Sequence, residues 1–223
     1  STLGEVEEAL GVIAFGLMYG MGVKTPSRVG FKEAYYSSQG LNLLQEKVTL
    51  LHCTTEYPAP IEDINLNAML TMRKAFGLKT GYSDHSEGVM VPIAAVAMGA
   101  TLIEKHFTLD HTKIGMDNQM AMEPDEMARL VRNCQNVHTA LGETERIVLP
   151  AEIEQRKKMR RSVIAIKDMP AGTVLTKTDL SAKRPGTGLP PEKINELVGK
   201  VLIRDVKADT MICDLDFFEL VDQ

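Results

Sequence analysis

Short apolar runs alternate with amphipathic stretches of helical length over residues 1–147, and this alternation constrains the fold more than any other feature of the chain. The run Val48-Thr49-Leu50-Leu51-His52-Cys53 has the length and composition of a buried strand, as do Lys79 to Ser83 and Thr101 to Phe107. Helical patterns lie between and after them. Leu66, Met69, Leu70 and Ala75 are apolar at helical spacing, with Gly77 as the stop, and Val89 to Met98 closes at Gly99. Glu123-Pro124-Asp125-Glu126 opens a long helix with Met127, Leu130, Val131, Cys134 and Val137 on one side and Gly142 at its end. Strands spaced by helices of this length predict βα units and a parallel sheet. A further helix is expected over Ser1 to Phe15, capped by Ser1 or Thr2, with Glu5, Glu7 and Glu8 where the helix dipole favours carboxylates.

Residues 16–46 interrupt the pattern with Gly, Pro and Ser punctuation and two helical stretches, around Phe31 to Tyr36 and Leu41 to Gln45. They read as an insertion packed on the helical side of the sheet. Residues 148–161 read as a charged, solvated linker, because a run such as Gln155-Arg156-Lys157-Lys158 usually faces water. Residues 162–223 carry short strand candidates, Val163 to Ile166 and Val201 to Ile203, between turns such as Asp168-Met169-Pro170-Ala171-Gly172. About sixty residues suffice for a small β-rich domain. No internal repeat is legible.

A formal charge of -5 without a long basic run argues against nucleic acid as a partner. The richest apolar stretch, Val89 to Ala100, is too short to span a membrane. Three widely separated cysteines, Cys53, Cys134 and Cys213, fit a reducing, cytoplasmic setting better than a disulfide framework. The chain opens inside a helix without an initiator methionine, so an upstream portion is expected to be missing.

Two histidines occupy equivalent places in consecutive βα units. His85 follows the second strand and His106 lies near the end of the third. Parallel strands joined by helices bring their C-terminal ends to one face, where βα-barrel sites are built. Alternation turns Ile103 and Lys105 one way and Glu104 and His106 the other. The two imidazoles are therefore candidates to share one divalent cation with positions left open. Alone this is a modest signal, since two histidines in an α/β chain are more often structural. His52, His111 and His138 are assigned to that structural class.

The words around these histidines raise the odds. Leu51-His52-Cys53-Thr54-Thr55-Glu56-Tyr57-Pro58 is followed by Gly81-Tyr82-Ser83-Asp84-His85 and Glu104-Lys105-His106-Phe107-Thr108. Arg161-Ser162-Val163, Asp168 to Gly172 and Lys183-Arg184-Pro185-Gly186-Thr187-Gly188 come later. This succession resembles the sialic acid synthase family, which condenses phosphoenolpyruvate with an amino sugar, and the last part resembles that family's antifreeze-like (SAF) domain. The resemblance implies strands six to eight of a (β/α)8 TIM barrel followed by a small β-rich SAF domain of β-clip type, with strands one to five absent. It implies that the chain is incomplete and that the isolated piece is inactive.

Carried over by position, the resemblance makes His85 and His106 the ligands of a metal, manganese or magnesium. It places Glu104 beside them as a catalytic partner, Ser83 and Thr55 at phosphoenolpyruvate, and Tyr57 and Asp117 near the amino sugar. Arg184 would serve the N-acetyl group of that hexosamine in the site of a partner subunit, within a domain-swapped homodimer. Family members often carry Asn at the place of Thr55, and Gly-Pro-Asp where this chain has Gly115-Met116-Asp117. The competing expectations are a non-catalytic sugar-binding or dimerisation fragment and a metal-dependent pyruvate aldolase. A Schiff-base aldolase is disfavoured by the direction of Lys105.

Overall fold

The computed structural model describes residues 1–20, 22–115 and 117–218. The chain divides into two compact units, Ser1–Glu143 and Thr144–Gln223.

The first unit opens on α1 (Leu3–Tyr19). Thr2 caps it, and Glu5 reaches back to the Thr2 backbone, so two of the free N-terminal donors are satisfied reciprocally. The expected boundary at Phe15 is thus four residues short. α2 (Arg28–Tyr36) and α3 (Ser38–Lys47) follow, capped by the hydroxyls of Ser27 and Ser37 on the amides of Gly30 and Gly40. A Cβ on Gly40 would lie 2.0 Å from the Ala34 carbonyl oxygen, so only glycine allows this corner. The stretch expected as an insertion is therefore mostly ordered helix. It shares one core with α1 and the start of the sheet: Leu10, Phe15, Ala34, Leu44, Phe76 and Leu78, with Leu50 against them. Each large side chain buried there contributes roughly 1.5–3 kcal/mol.

The sheet has three parallel strands in the order β1 (Thr49–Cys53), β2 (Lys79–Asp84) and β3 (Ile103–Lys105). Leu51 lies opposite Gly81, Cys53 opposite Ser83, and Ser83 opposite Glu104. α4 (Asn67–Phe76) and α5 (Met90–Ala97) cover one face, where Tyr82 is buried against Met69 and Ala95. A Cβ on Gly81, on the other face, would come within 2.6 Å of the Leu51 side chain. α4 stops at Gly77, which takes the left-handed conformation at φ 63°. α6 (Pro124–Leu141) packs against α5. β3 is shorter than the expected Thr101-to-Phe107 run. Beyond Lys105 the chain leaves β2 and pairs with the Met122 segment instead, Met122 N–H donating to the His106 carbonyl at 2.9 Å.

The second unit opens on α7 (Pro150–Met159), a helix without buried residues inside the stretch read as a charged, solvated linker. Proline at the first turn and three basic residues in the last turn favour a helix despite the absence of an apolar face. Beyond it lie β4 (Ser162–Ala165) with β5 (Leu180–Lys183), and β6 (Val201–Leu202) with β7 (Phe217–Phe218), as two antiparallel pairs. The core gathers Val163, Ala165, Leu175, Leu202 and Ile212.

This unit contains a repeat that residue identities do not make legible. Asp168 corresponds to Asp205, Ala171 to Ala208, Thr173 to Thr210 and Asp179 to Asp216 at a constant spacing. The halves bond to each other reciprocally. Ala171 N–H donates to Asp205 and Ala208 N–H to Asp168, both at 2.8 Å. Met169 and Val206 exchange backbone bonds of 2.8 Å, and Leu175 to Lys200 is answered by Ile212 to Val163. Few identities survive because the pattern lies in backbone bonds and in three polar positions.

No helix among the described residues is long and apolar enough to cross a membrane.

Candidate functional site

His85 follows β2 and His106 follows β3, so two neighbouring parallel strands deliver both side chains to one end of the sheet. Their ring centres are 5.3 Å apart and the planes stand at 83°. Tyr57 completes a triangle, 5.0 Å from His85 and 4.5 Å from His106. The Tyr57 loop is tied in place by the Ala59 amide, which donates to the His85 carbonyl at 2.9 Å. Burial, then the charge of Asp117, then that of Asp84, raise the Tyr57 phenol above its ordinary pKa.

One turn of the pleat below the imidazoles, the Ser83 hydroxyl donates to Glu104 at 2.7 Å. Ser83 is buried while Glu104 is exposed. The Asp117 carboxylate lies 4.0 Å from His106 Nδ1, and Asp117 holds the left-handed conformation at φ 54°. The fold thus brings together His85, His106, Tyr57 and Asp117, with the Ser83–Glu104 pair on the same face. It does not tie Thr55 to them: Thr55 is exposed and makes no side-chain hydrogen bond among the described residues. Arg184 belongs to the second unit, is exposed, and donates through Nε to the Met159 carbonyl at 3.2 Å.

Two further polar contacts adjoin the histidines. Cys53 Sγ is 3.8 Å from both ring nitrogens of His85. The same alternation that separates Glu104 from Lys105 also puts Cys53 on the site face, so this signal was available. On the opposite face, Lys105 donates to Asp84 at 2.6 Å and also to the Ser86 carbonyl, and both charged side chains are buried. His52, by contrast, is structural, with Nε2 at 2.7 Å from the Ile64 carbonyl oxygen. His111 pairs with Glu123 at 2.9 Å on the surface.

Two imidazoles that ligate one ion at about 2.1 Å hold their ring centres roughly 4.5–5.5 Å apart, and the observed spacing falls in that range. No group of three or more His, Cys, Asp and Glu side chains suited to a metal occurs among the described residues. Two imidazoles at this spacing are a donor pair that would leave further positions on an ion open.

A model of the NeuB family matches residues 1–146 and a SAF domain model matches residues 160–217. The chain is 42% identical over 171 residues to an N,N'-diacetyllegionaminic acid synthase of Legionella pneumophila, covering 77% of this chain and 48% of that protein. It is 35% identical over 212 residues to the protein of the same description in Campylobacter jejuni, covering 95% and 56%. It is 39% identical over 193 residues to the human N-acetylneuraminate-9-phosphate synthase, covering 86% and 52%. Among solved structures, a spore coat polysaccharide biosynthesis protein E of Chromobacterium violaceum superposes with a TM-score of 0.54 at 26% identity, over 86% of this chain and 58% of that one. The chain spans about half the length of the curated relatives it matches. With matches to both family models along its length, this chain belongs to the NeuB, or sialic acid synthase, family and carries its SAF domain.

Proposed function

We propose that this chain carries the metal- and sugar-binding part of a synthase that condenses phosphoenolpyruvate with an N-acylated amino sugar, giving a nonulosonic acid and phosphate. The observation that carries this reading is the convergence of His85 and His106 at the ends of adjacent parallel strands. In this reading β1, β2 and β3 are strands six to eight of a TIM barrel. His85 and His106 hold a divalent cation, manganese in the first instance and magnesium as the alternative. When bound, that cation supplies Lewis acidity toward the sugar aldehyde.

The other roles fall to side chains of this chain. Ser83 and Thr55 bind phosphoenolpyruvate, with Glu104 fixing the direction of the Ser83 hydroxyl. Donors set in advance stabilise charge as it shifts onto carboxylate and phosphate. Tyr57 and Asp117 bind the sugar. The enol carbon of phosphoenolpyruvate forms the new bond to the aldehyde carbon, water adds at C2, and phosphate leaves by C–O cleavage. Arg184 of the partner subunit selects the N-acyl group in a domain-swapped homodimer, since a site built to hydrogen-bond a group rejects sugars that lack it.

The test is His85→Ala and His106→Ala in the full-length enzyme. Each is expected to abolish metal-dependent phosphate release from phosphoenolpyruvate in the presence of N-acetylmannosamine or a diacetamido-trideoxyhexose. A near-normal rate with metal still bound would overturn the assignment. Consumption of pyruvate in place of phosphoenolpyruvate would favour an aldolase.

A further inference from the structure

The two site histidines are flanked by a buried polar cluster on the opposite face of the sheet. Asp84 precedes His85 and Ser86 follows it. Asp84 Oδ1 accepts from the Ser86 amide at 2.9 Å and from the Ser86 hydroxyl at 2.7 Å, which folds the backbone around His85 into a closed turn. Lys105 immediately precedes His106. Its ammonium donates to Asp84 Oδ2 at 2.6 Å and also to the Ser86 carbonyl, so it grips both walls of that turn. Lys105 and Asp84 lie opposite each other in the parallel register of β2 and β3. Their side chains are 3% and 0% exposed.

A buried ion pair is a weak source of stability, because desolvating both charges offsets most of their attraction, and apolar residues of similar volume often serve as well. What this pair does supply is a rigid link between two backbones at the point where each presents a histidine. We propose that the Asp84–Lys105 pair, closed by Ser86, is a positioning strut that sets the separation and facing of the His85 and His106 imidazoles. It rests on the metal-site reading only for its consequence in cation affinity. The strut itself is a statement about two rings.

The test uses the same full-length enzyme, with Lys105→Met and with the double change Asp84→Asn/Lys105→Met. The double variant removes both charges, while the carboxamide oxygen that replaces the Asp84 carboxylate can still accept from the Ser86 amide. It therefore tests the strut even if the single variant fails to fold. Leu44→Ala, in the separate core beneath α1, serves as a destabilised control that leaves the cluster intact. The first readout is the nuclear Overhauser contact between the two imidazoles in the metal-free protein labelled at histidine. The second is Mn2+ affinity, followed through the electron paramagnetic resonance of the free ion.

The expected result is loss of the inter-ring contact in the double variant, its retention in Leu44→Ala, and Mn2+ binding weakened about 10–100-fold, as for other residues that orient metal ligands. An inter-ring contact and Mn2+ affinity both unchanged in the folded double variant would overturn the strut. If the contact is lost in the variant while the parent chain itself shows no Mn2+ binding, the strut stands and the metal assignment fails.

Discussion

The two units of this chain satisfy their backbones in opposite ways. In Thr144–Gln223, short strands are closed by bonds that one half of a repeat donates to the other, as in the paired amides of Ala171 and Ala208 on Asp205 and Asp168. In Ser1–Glu143 the sheet is a three-stranded parallel ribbon whose outer strands, β1 and β3, find no further strand among the described residues. Strand edges of that kind present unpaired amides and carbonyls to any chain that approaches.

The ion pairs differ in the same sense. In the second unit the carboxylates of Asp179 and Asp216 are buried, 5% and 1% exposed, but their partners Lys167 and Arg204 are 62% and 60% exposed. In the first unit both ends of Asp84–Lys105 are buried. The small unit anchors its turns with charges that still reach water. The larger one has placed a fully desolvated pair next to its candidate site, where geometry matters more than stability.

The largest effect that would break this comparison is independent folding. Residues 144–223 produced alone are expected to unfold in a single cooperative transition by circular dichroism. Residues 1–143 alone are expected to associate or to lack such a transition. A monomeric, cooperatively unfolding 1–143 piece would show that the open sheet is self-sufficient.

Next come the core positions related by the repeat. Leu175 and Ile212 are 1% and 0% exposed and occupy equivalent places in the two halves. Leu175→Ala and Ile212→Ala should each cost roughly 2–5 kcal/mol and agree to within about 1 kcal/mol in urea unfolding, given the usual spread among sites. A strong disparity would mean that the halves share bonds but not load.

Much of the first unit was legible, and the reason is periodicity. Alternation alone separates His106 and Glu104 from Lys105, and the Gly77 stop follows from the left-handed cap it supplies. Signals of this kind are local. What stayed hidden needs partners distant in sequence. β3 ends early because the Met122 segment takes over the hydrogen bonds of His106 and Thr108. α7 forms without an apolar stripe, so no moment reveals it. The repeat hides because Lys167 becomes Arg204, Gly172 becomes Asp209 and Thr176 becomes Cys213, substitutions that keep the ion pairs, the positive φ and the backbone amide bonds while erasing identity. The Asp84–Lys105 strut was not seen because only the parallel register brings those residues side by side.

Acid stability sharpens the contrast in charge placement. A hydrogen bond from Lys167, then the side chain and amide of Thr176, hold the Asp179 carboxyl down at about 2. An unfolded aspartate titrates near about 3.9, so the folded value is depressed. The stabilisation is then fully present above pH ~4 and lost as the pH falls toward ~2. Asp179→Asn should therefore destabilise the second unit at pH 7 and make little difference at pH 2. An equal penalty at both values would assign the effect to lost packing instead of lost charge.

The smallest expected effect tests the repeat at Thr176 and Cys213, where the two halves bond differently. In the first half, Asp179 Oδ2 accepts from both the Thr176 amide at 2.8 Å and the Thr176 hydroxyl at 2.6 Å. In the second half, Asp216 Oδ2 accepts from the Cys213 amide at 2.7 Å, and the thiol instead receives a 3.6 Å contact from Arg204. Cys213→Thr places a hydroxyl where its counterpart already makes a short bond to a buried carboxylate. The gain should be about 0.5–1.5 kcal/mol, the usual net worth of one such bond, read as a higher urea midpoint with an unchanged slope. A fall in the midpoint would show that the Arg204–sulfur contact matters more at this turn than symmetry between the halves.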